Sequence, residues 1–108
     1  MIVLPTLTTA AFYEFEIDLE QRTFKFRFHW NERDAAWYFE ILDANGVSLL
    51  AGRRVVVDFP LIGRFHDPRL PPGEITALDT SNQGQDPGLA DLGERVLLIY
   101  SEAAVWGR

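Results

Sequence analysis

Residues 22–30 read R-T-F-K-F-R-F-H-W. Phe24, Phe26, Phe28 and Trp30 fall on every second position, and Lys25, Arg27 and His29 fill the gaps. Successive side chains of a strand point to opposite faces. The stretch therefore predicts a strand with an aromatic wall on one side and a wet basic row on the other. Residues 11–19 alternate in the complementary way. Tyr13, Phe15, Ile17 and Leu19 share one face, and Glu14, Glu16 and Asp18 take the other. With a connection centred on Glu20 and Gln21, Ile17 lies opposite Phe24, Phe15 opposite Phe26 and Tyr13 opposite Phe28. That register puts both apolar sets on one side, as a half-buried hairpin requires. It also sets Glu14 against Arg27 and Glu16 against Lys25. Each such cross-strand pair contributes about 0.2–1 kcal/mol.

The aromatic face continues beyond the polar turn at residues 31–34. Residues 36–43 predict a third strand with Trp37, Phe39 and Ile41 inward and Tyr38, Glu40 and Leu42 pointing away. Asp43-Ala44-Asn45-Gly46 is a turn signal. A two-residue Asn-Gly turn and a three-residue turn with a bulge both fit it, one residue apart in register. Residues 47–58 predict a fourth strand, with a bulge or bend at Gly52 and an apolar run at Val55, Val56 and Val57. Residues 59–73 hold four of the six prolines and read as an irregular crossing, plugged onto the core by Leu61, Ile62, Phe65 and Leu70. Residues 74–80 form a strand. Residues 81–93 form a long polar loop, with one turn at residues 88–92. Residues 94–101 form a last, central strand. Residues 1–9, with Pro5, read as an arm or edge strand. The expected fold is all-β, a small antiparallel β-barrel or a two-layer β-sandwich of six to seven strands.

At 108 residues this is one domain, residues 1–108, with an N-terminal arm 1–9 and a C-terminal tail 103–108. No run approaches the ~20 apolar residues of a membrane helix. The opening M-I-V-L-P-T-L lacks a basic start and a cleavage site, so no signal peptide and no membrane partner are expected. Without cysteine there is no disulfide framework or thiolate metal site. The net charge is −6, and a nucleic-acid partner would demand an excess of Lys and Arg. The charge is bipolar, with basic patches at residues 22–27 and 53–54 and acidic stretches at 14–20 and 79–94. Such a surface suits contacts with other protein subunits, and simple solubility explains it equally well.

Catalytic signals are sparse. His29 lies in the surface row, and His66-Asp67 lies on the proline-rich crossing without an activated hydroxyl beside it. The acidic loop lacks calcium-loop spacing, and its glycines do not form a phosphate cradle. No catalytic residue, metal site or cofactor is predicted. The aromatic wall reads as core. As a carbohydrate or ligand platform it would have to be exposed, and Tyr38 is the better surface candidate. Trp106, in the tail, is costly to leave in water and predicts packing on this domain or a neighbour.

The ordered combination of short motifs resembles the small baseplate plug family of contractile phage tails. The likeness starts with the I-V-L-P arm, the strand 12–19, and the strand 24–30 followed by Asn31 and Arg33. It continues through residues 37–43 with Asn45-Gly46, then Leu50-Ala51-Gly52-Arg53, then Leu61-Ile62 with Phe65. It closes on residues 73–79, Gln85-Asp86-Pro87 and the block from Leu92-Gly93-Glu94-Arg95-Val96 to Tyr100. The tail from Ala103 lies outside it. The resemblance implies a non-enzymatic structural protein near the baseplate axis, made in the bacterial host cytoplasm and built into the virion tail. Its implied partners are hub, spike or tube-initiator proteins and further copies of itself; tail-like particles and other injection systems use similar parts. The arm, the loop and the tail are the expected contact regions, with Ile2, Val3, Leu4, Pro5, Asp86, Pro87 and Trp106 as candidate interface residues. The rival expectation is a small ligand- or carbohydrate-binding β-module.

Overall fold

The computed structural model describes residues 2–6, 10–62 and 69–102. Among them run seven strands: β1 (Ile2–Val3), β2 (Phe12–Leu19), β3 (Arg22–Asn31), β4 (Ala36–Asp43), β5 (Ser48–Arg54), β6 (Glu74–Asp79) and β7 (Val96–Ser101). They build two antiparallel sheets, ordered β2-β3-β4-β5 and β1-β7-β6. No helix occurs among the described residues. The architecture is all-β and sandwich-like, and the sheets do not close into a barrel. Phe65, His66, Asp67 and Trp106 lie outside the described residues.

The β2–β3 hairpin has the expected register, with Ile17↔Phe24, Phe15↔Phe26 and Tyr13↔Phe28 facing inward. Its two connecting residues, Glu20 and Gln21, take φ of 50° and 72°. Positive φ at both central positions is the twist that a two-residue hairpin turn needs, and it is reached here without Asn or Gly. On β4, Phe39 and Ile41 continue the inner face opposite Phe28 and Phe26. The rings stack in a ladder, with centroids 5.4 Å apart for Tyr13–Phe28, 5.6 Å for Phe15–Phe26 and 5.7 Å for Phe28–Phe39. Phe26, Phe28 and Trp37 have no exposed surface.

The ambiguous turn takes the three-residue form. The Gly46 N–H donates to the Asp43 carbonyl at 3.0 Å, and the Asp43 N–H donates to the Val47 carbonyl at 2.9 Å. Gly46 sits at φ 85°, the left-handed position that a turn followed by a bulge assigns to glycine. The Asp43 carboxylate locks it by accepting the Asn45 and Val47 N–H groups, each at 2.9 Å.

Two expectations are corrected. The fourth strand ends at Arg54, not at residue 58. A bulge of one extra residue at Ala51 and Gly52 bends it, and the chain then crosses to the other sheet, where Val57 bridges Ala77 in parallel. Val55 and Val57 are buried, whereas Val56 is only partly so. Leu42 alternates onto the outer face yet is 2% exposed. β4 stays in register with β3 there, Leu42 opposite Lys25, so the alternation holds and only the exposure expected of that face does not.

The second sheet places Ile75 and Ala77 of β6 and Val96, Leu98 and Tyr100 of β7 against the same hydrophobic cluster as the aromatic ladder. β7 is the central strand. Leu61, Ile62 and Leu70 of the crossing are buried in the core.

Candidate functional site

The region from Asp79 to Arg95 is irregular in backbone but dense in polar contacts. Its organiser is Arg95. One guanidinium nitrogen meets Asp79 Oδ2 at 2.8 Å, and the other meets Asp91 Oδ2 at 3.2 Å. The same group donates to the carbonyls of Gln85 (3.1 Å) and Asp86 (3.0 Å). The planar fork of arginine suits several fixed acceptors at once. Asp79, only 3% exposed, accepts the Ser81 hydroxyl and N–H at Oδ1 (2.6 and 2.9 Å) and the Gln85 N–H at Oδ2 (3.2 Å). The Ser81 hydroxyl, then the two N–H groups and Arg95, hold the Asp79 carboxyl far below the usual carboxylate range. Asp91 is lowered first by the Gly88 N–H and then by Arg95. Arg95 is raised in turn, first by Asp91 and then by Asp79. The loop docks onto the first sheet through Trp37, whose indole N–H donates to the Gly88 carbonyl at 3.0 Å.

The candidate interface residues differ in setting. β1 pairs antiparallel with β7, Ile2 facing Tyr100 and Val3 facing Ile99. Val3 is 56% exposed, Leu4 is 1% exposed within the core, and Pro5 is exposed. The Leu4 N–H continues the ladder to the Leu98 carbonyl. Gly93 lets the arm approach, because a Cβ there would stand 2.8 Å from the Thr6 carbonyl oxygen. Asp86 is exposed and Pro87 buried. Asp86 also serves the fold, accepting the Val57 N–H at 3.0 Å and standing 3.9 Å from Arg54. Trp106 lies outside the described residues.

The outer face of the first sheet carries a row that crosses all four strands, from Phe12 through His29 and Tyr38 to Arg54. Phe12 is 65% exposed. His29 stacks on Tyr38 at 5.7 Å, and the Tyr38 hydroxyl donates to Asp34 at 2.8 Å. The predicted Glu14–Arg27 pair forms at 2.6 Å.

Besides Arg95, sequence reasoning missed two anchors. Glu74 is fully buried in β6, and its Oε2 accepts the N–H groups of Leu61 (3.0 Å), Ile62 (2.9 Å) and Ile75 (2.9 Å). It thereby fixes the crossing segment to the sheet. Tyr100 receives the Gly73 N–H at 2.8 Å and donates its hydroxyl to Glu20 in the hairpin turn. Burial, followed by the Glu20 carboxylate, pushes its pKa well above that of free tyrosine. The only sequence signal for either was a polar group beside an apolar run.

The comparison with curated proteins returned no match. Residues 1–103 match the family described as cyanophage baseplate Pam3 plug gp18. The matched span takes in the arm, both sheets and the Arg95-centred loop, and the chain belongs to this baseplate plug family.

Proposed function

We propose that the protein is a non-enzymatic structural component of a contractile tail baseplate. It packs as a plug near the tail axis against hub, spike or tube-initiator proteins, in several copies within the virion, after synthesis in the bacterial host cytoplasm. The family match over nearly the whole chain carries this reading. The structure is compatible with it. A loop fixed by internal hydrogen bonds and ion pairs presents its exposed side chains without first having to be ordered, which lowers the entropic cost of docking. Val3, Pro5 and Asp86 offer the contact surface. Ile2, Leu4 and Pro87 seat the same segments from beneath, and Trp106 adds a contact from the tail.

The test is co-expression with hub, spike and tube-initiator proteins from one tail gene cluster, followed by size-exclusion chromatography with light scattering. The expected result is a stable complex with at least one of them, weakened when Val3→Asp and Pro5→Asp are combined. A protein that elutes alone beside every candidate, and is missing from purified tails, would overturn the reading.

A further inference from the structure

β2 is one of the two edge strands of the four-stranded sheet. Its pairing with β3 fixes which backbone groups look outward. The two-residue turn makes Leu19↔Arg22 the closing hydrogen-bonded pair, and such pairs then recur at every second residue. The Trp30 N–H bond to the Ala11 carbonyl, 2.8 Å long, lies on the same phase. The N–H and C=O groups of Phe12, Glu14, Glu16 and Asp18 therefore point away from β3. Among the described residues no backbone group pairs with them.

Two further features describe what would fit there. The side chains of the same four residues line the outer face, and all four are exposed. Three are acidic, against two cations, Lys25 and Arg27, on the neighbouring row of β3, and Arg27 is shared with Glu40 at 3.6 Å. The row is thus left with a net negative charge. On the inner face, Phe15 and Ile17 are only half-buried, and among the described residues no further strand covers their outer flank.

We infer that this edge accepts an extended segment of another protein by strand addition. That segment carries Lys or Arg on the positions beside Glu14, Glu16 and Asp18, and apolar residues on the alternate positions that cover Phe15 and Ile17. β3 already displays this pattern on the other side of β2. Main-chain hydrogen bonds supply the affinity and alternate side chains the selectivity. A second copy of β2 is the wrong occupant, since pairing it would set acid against acid. The arm is also wrong, because residues 2–6 carry no charge and β1 is engaged on β7. The proposal does not depend on where the protein assembles.

The probe is a blocked eight-residue peptide of alternating valine and lysine, with a valine–glutamate peptide as control. NMR titration and amide exchange on the full chain read the result. Binding of the lysine peptide is expected to slow exchange at Glu14, Glu16 and Asp18 and to weaken as salt rises. Glu16→Pro removes one outward N–H and leaves the β3 ladder intact, so affinity falls about tenfold or more while the fold is kept. Exchanging the charges by Glu16→Lys with Lys25→Glu preserves the cross-strand pair and weakens the lysine peptide several-fold. Equal binding of the glutamate peptide, absence of protection at the three edge amides, or unchanged affinity in Glu16→Pro would each overturn the proposal.

Discussion

The two sheets are held by different chemistry. The four-stranded sheet is a meander whose inner face is a ladder of stacked rings with hardly a polar atom between them. The three-stranded sheet is assembled from distant parts of the chain, and single polar side chains pin its connections. Glu74 holds the crossing, Arg95 the loop and Tyr100 the junction with the hairpin. Local pairing and area burial suffice where strands follow one another with short turns. Where the chain must return over long stretches, buried N–H and C=O groups need partners, and a few charged residues supply them.

The contrast breaks most sharply at Phe28. It has no exposed surface and stacks on Tyr13, Phe15, Phe26 and Phe39. Phe28→Ala should cost about 3–5 kcal/mol in urea unfolding, and a loss below about 1 kcal/mol would deny the ladder its central part. Glu74→Ala tests the polar half. Leaving the Ile62 and Ile75 N–H groups buried without their acceptor should cost about 2–4 kcal/mol. Amide exchange should rise at Leu61 and Ile62 and stay slow on β3.

Tyr100→Phe removes one acceptor and one donor at a buried site, for an expected loss of about 1–2 kcal/mol. The sign of the pH effect follows from the raised pKa. Below about pH 10, the unfolded value, the contribution is fully present, and it is lost as pH rises through the folded value. Wild type should therefore lose stability in strong alkali more steeply than Tyr100→Phe does; parallel curves would contradict this. Arg95→Met should act locally, speeding exchange across residues 80–93 with little change in the hairpin. Asp79 and Asp91 are depressed, so what they contribute is present above about pH 3.9. It is lost as pH falls further, and in acid the loop should open before the hairpin does. The smallest effect is a gain. Gln21 sits at φ 72°, and Gln21→Gly should stabilise by about 0.5 kcal/mol after the entropy of glycine is subtracted. An unchanged or lowered unfolding midpoint would show that the turn is not strained.

This division also explains what the sequence discloses. The register of β2 and β3 is legible because two independent alternations, apolar and charged, agree on it. The central place of β7 is legible from its apolar run, and the turn at Gly46 from its residue types, apart from the one-residue choice that Asp43 decides through its hydrogen bonds. The departure at Arg54 is not legible, since Val55, Val56 and Val57 would serve a continuing strand as well as a change of sheet. Leu42 misleads because the period of two assigns a side chain to a face, and a place on the outer face is not by itself exposure. Glu74 and Arg95 are hidden for a deeper reason. A charged residue reads as solvent-facing unless its partners are known, and those partners are backbone groups 12 and 13 residues away for Glu74 and carbonyls and carboxylates spread along a loop for Arg95. Of the candidate site, the exposure of Val3 and Asp86 could be expected, whereas the burial of Leu4 beside them depends on β1 joining β7.

The Tyr100–Glu20 bond and the Trp37–Gly88 bond have a joint mechanical consequence. The first lies by the turn that begins β3, the second beside Trp30 at its far end, a span of roughly 27 Å at the rise of an extended strand. Two layers joined only by an oily interface can slide, because apolar contact resists separation but has no preferred direction. Rivets near both ends of one strand resist that shear and also rotation of one layer over the other. The domain should carry compressive and twisting loads as one stiff block, yielding at its periphery before its layers slip.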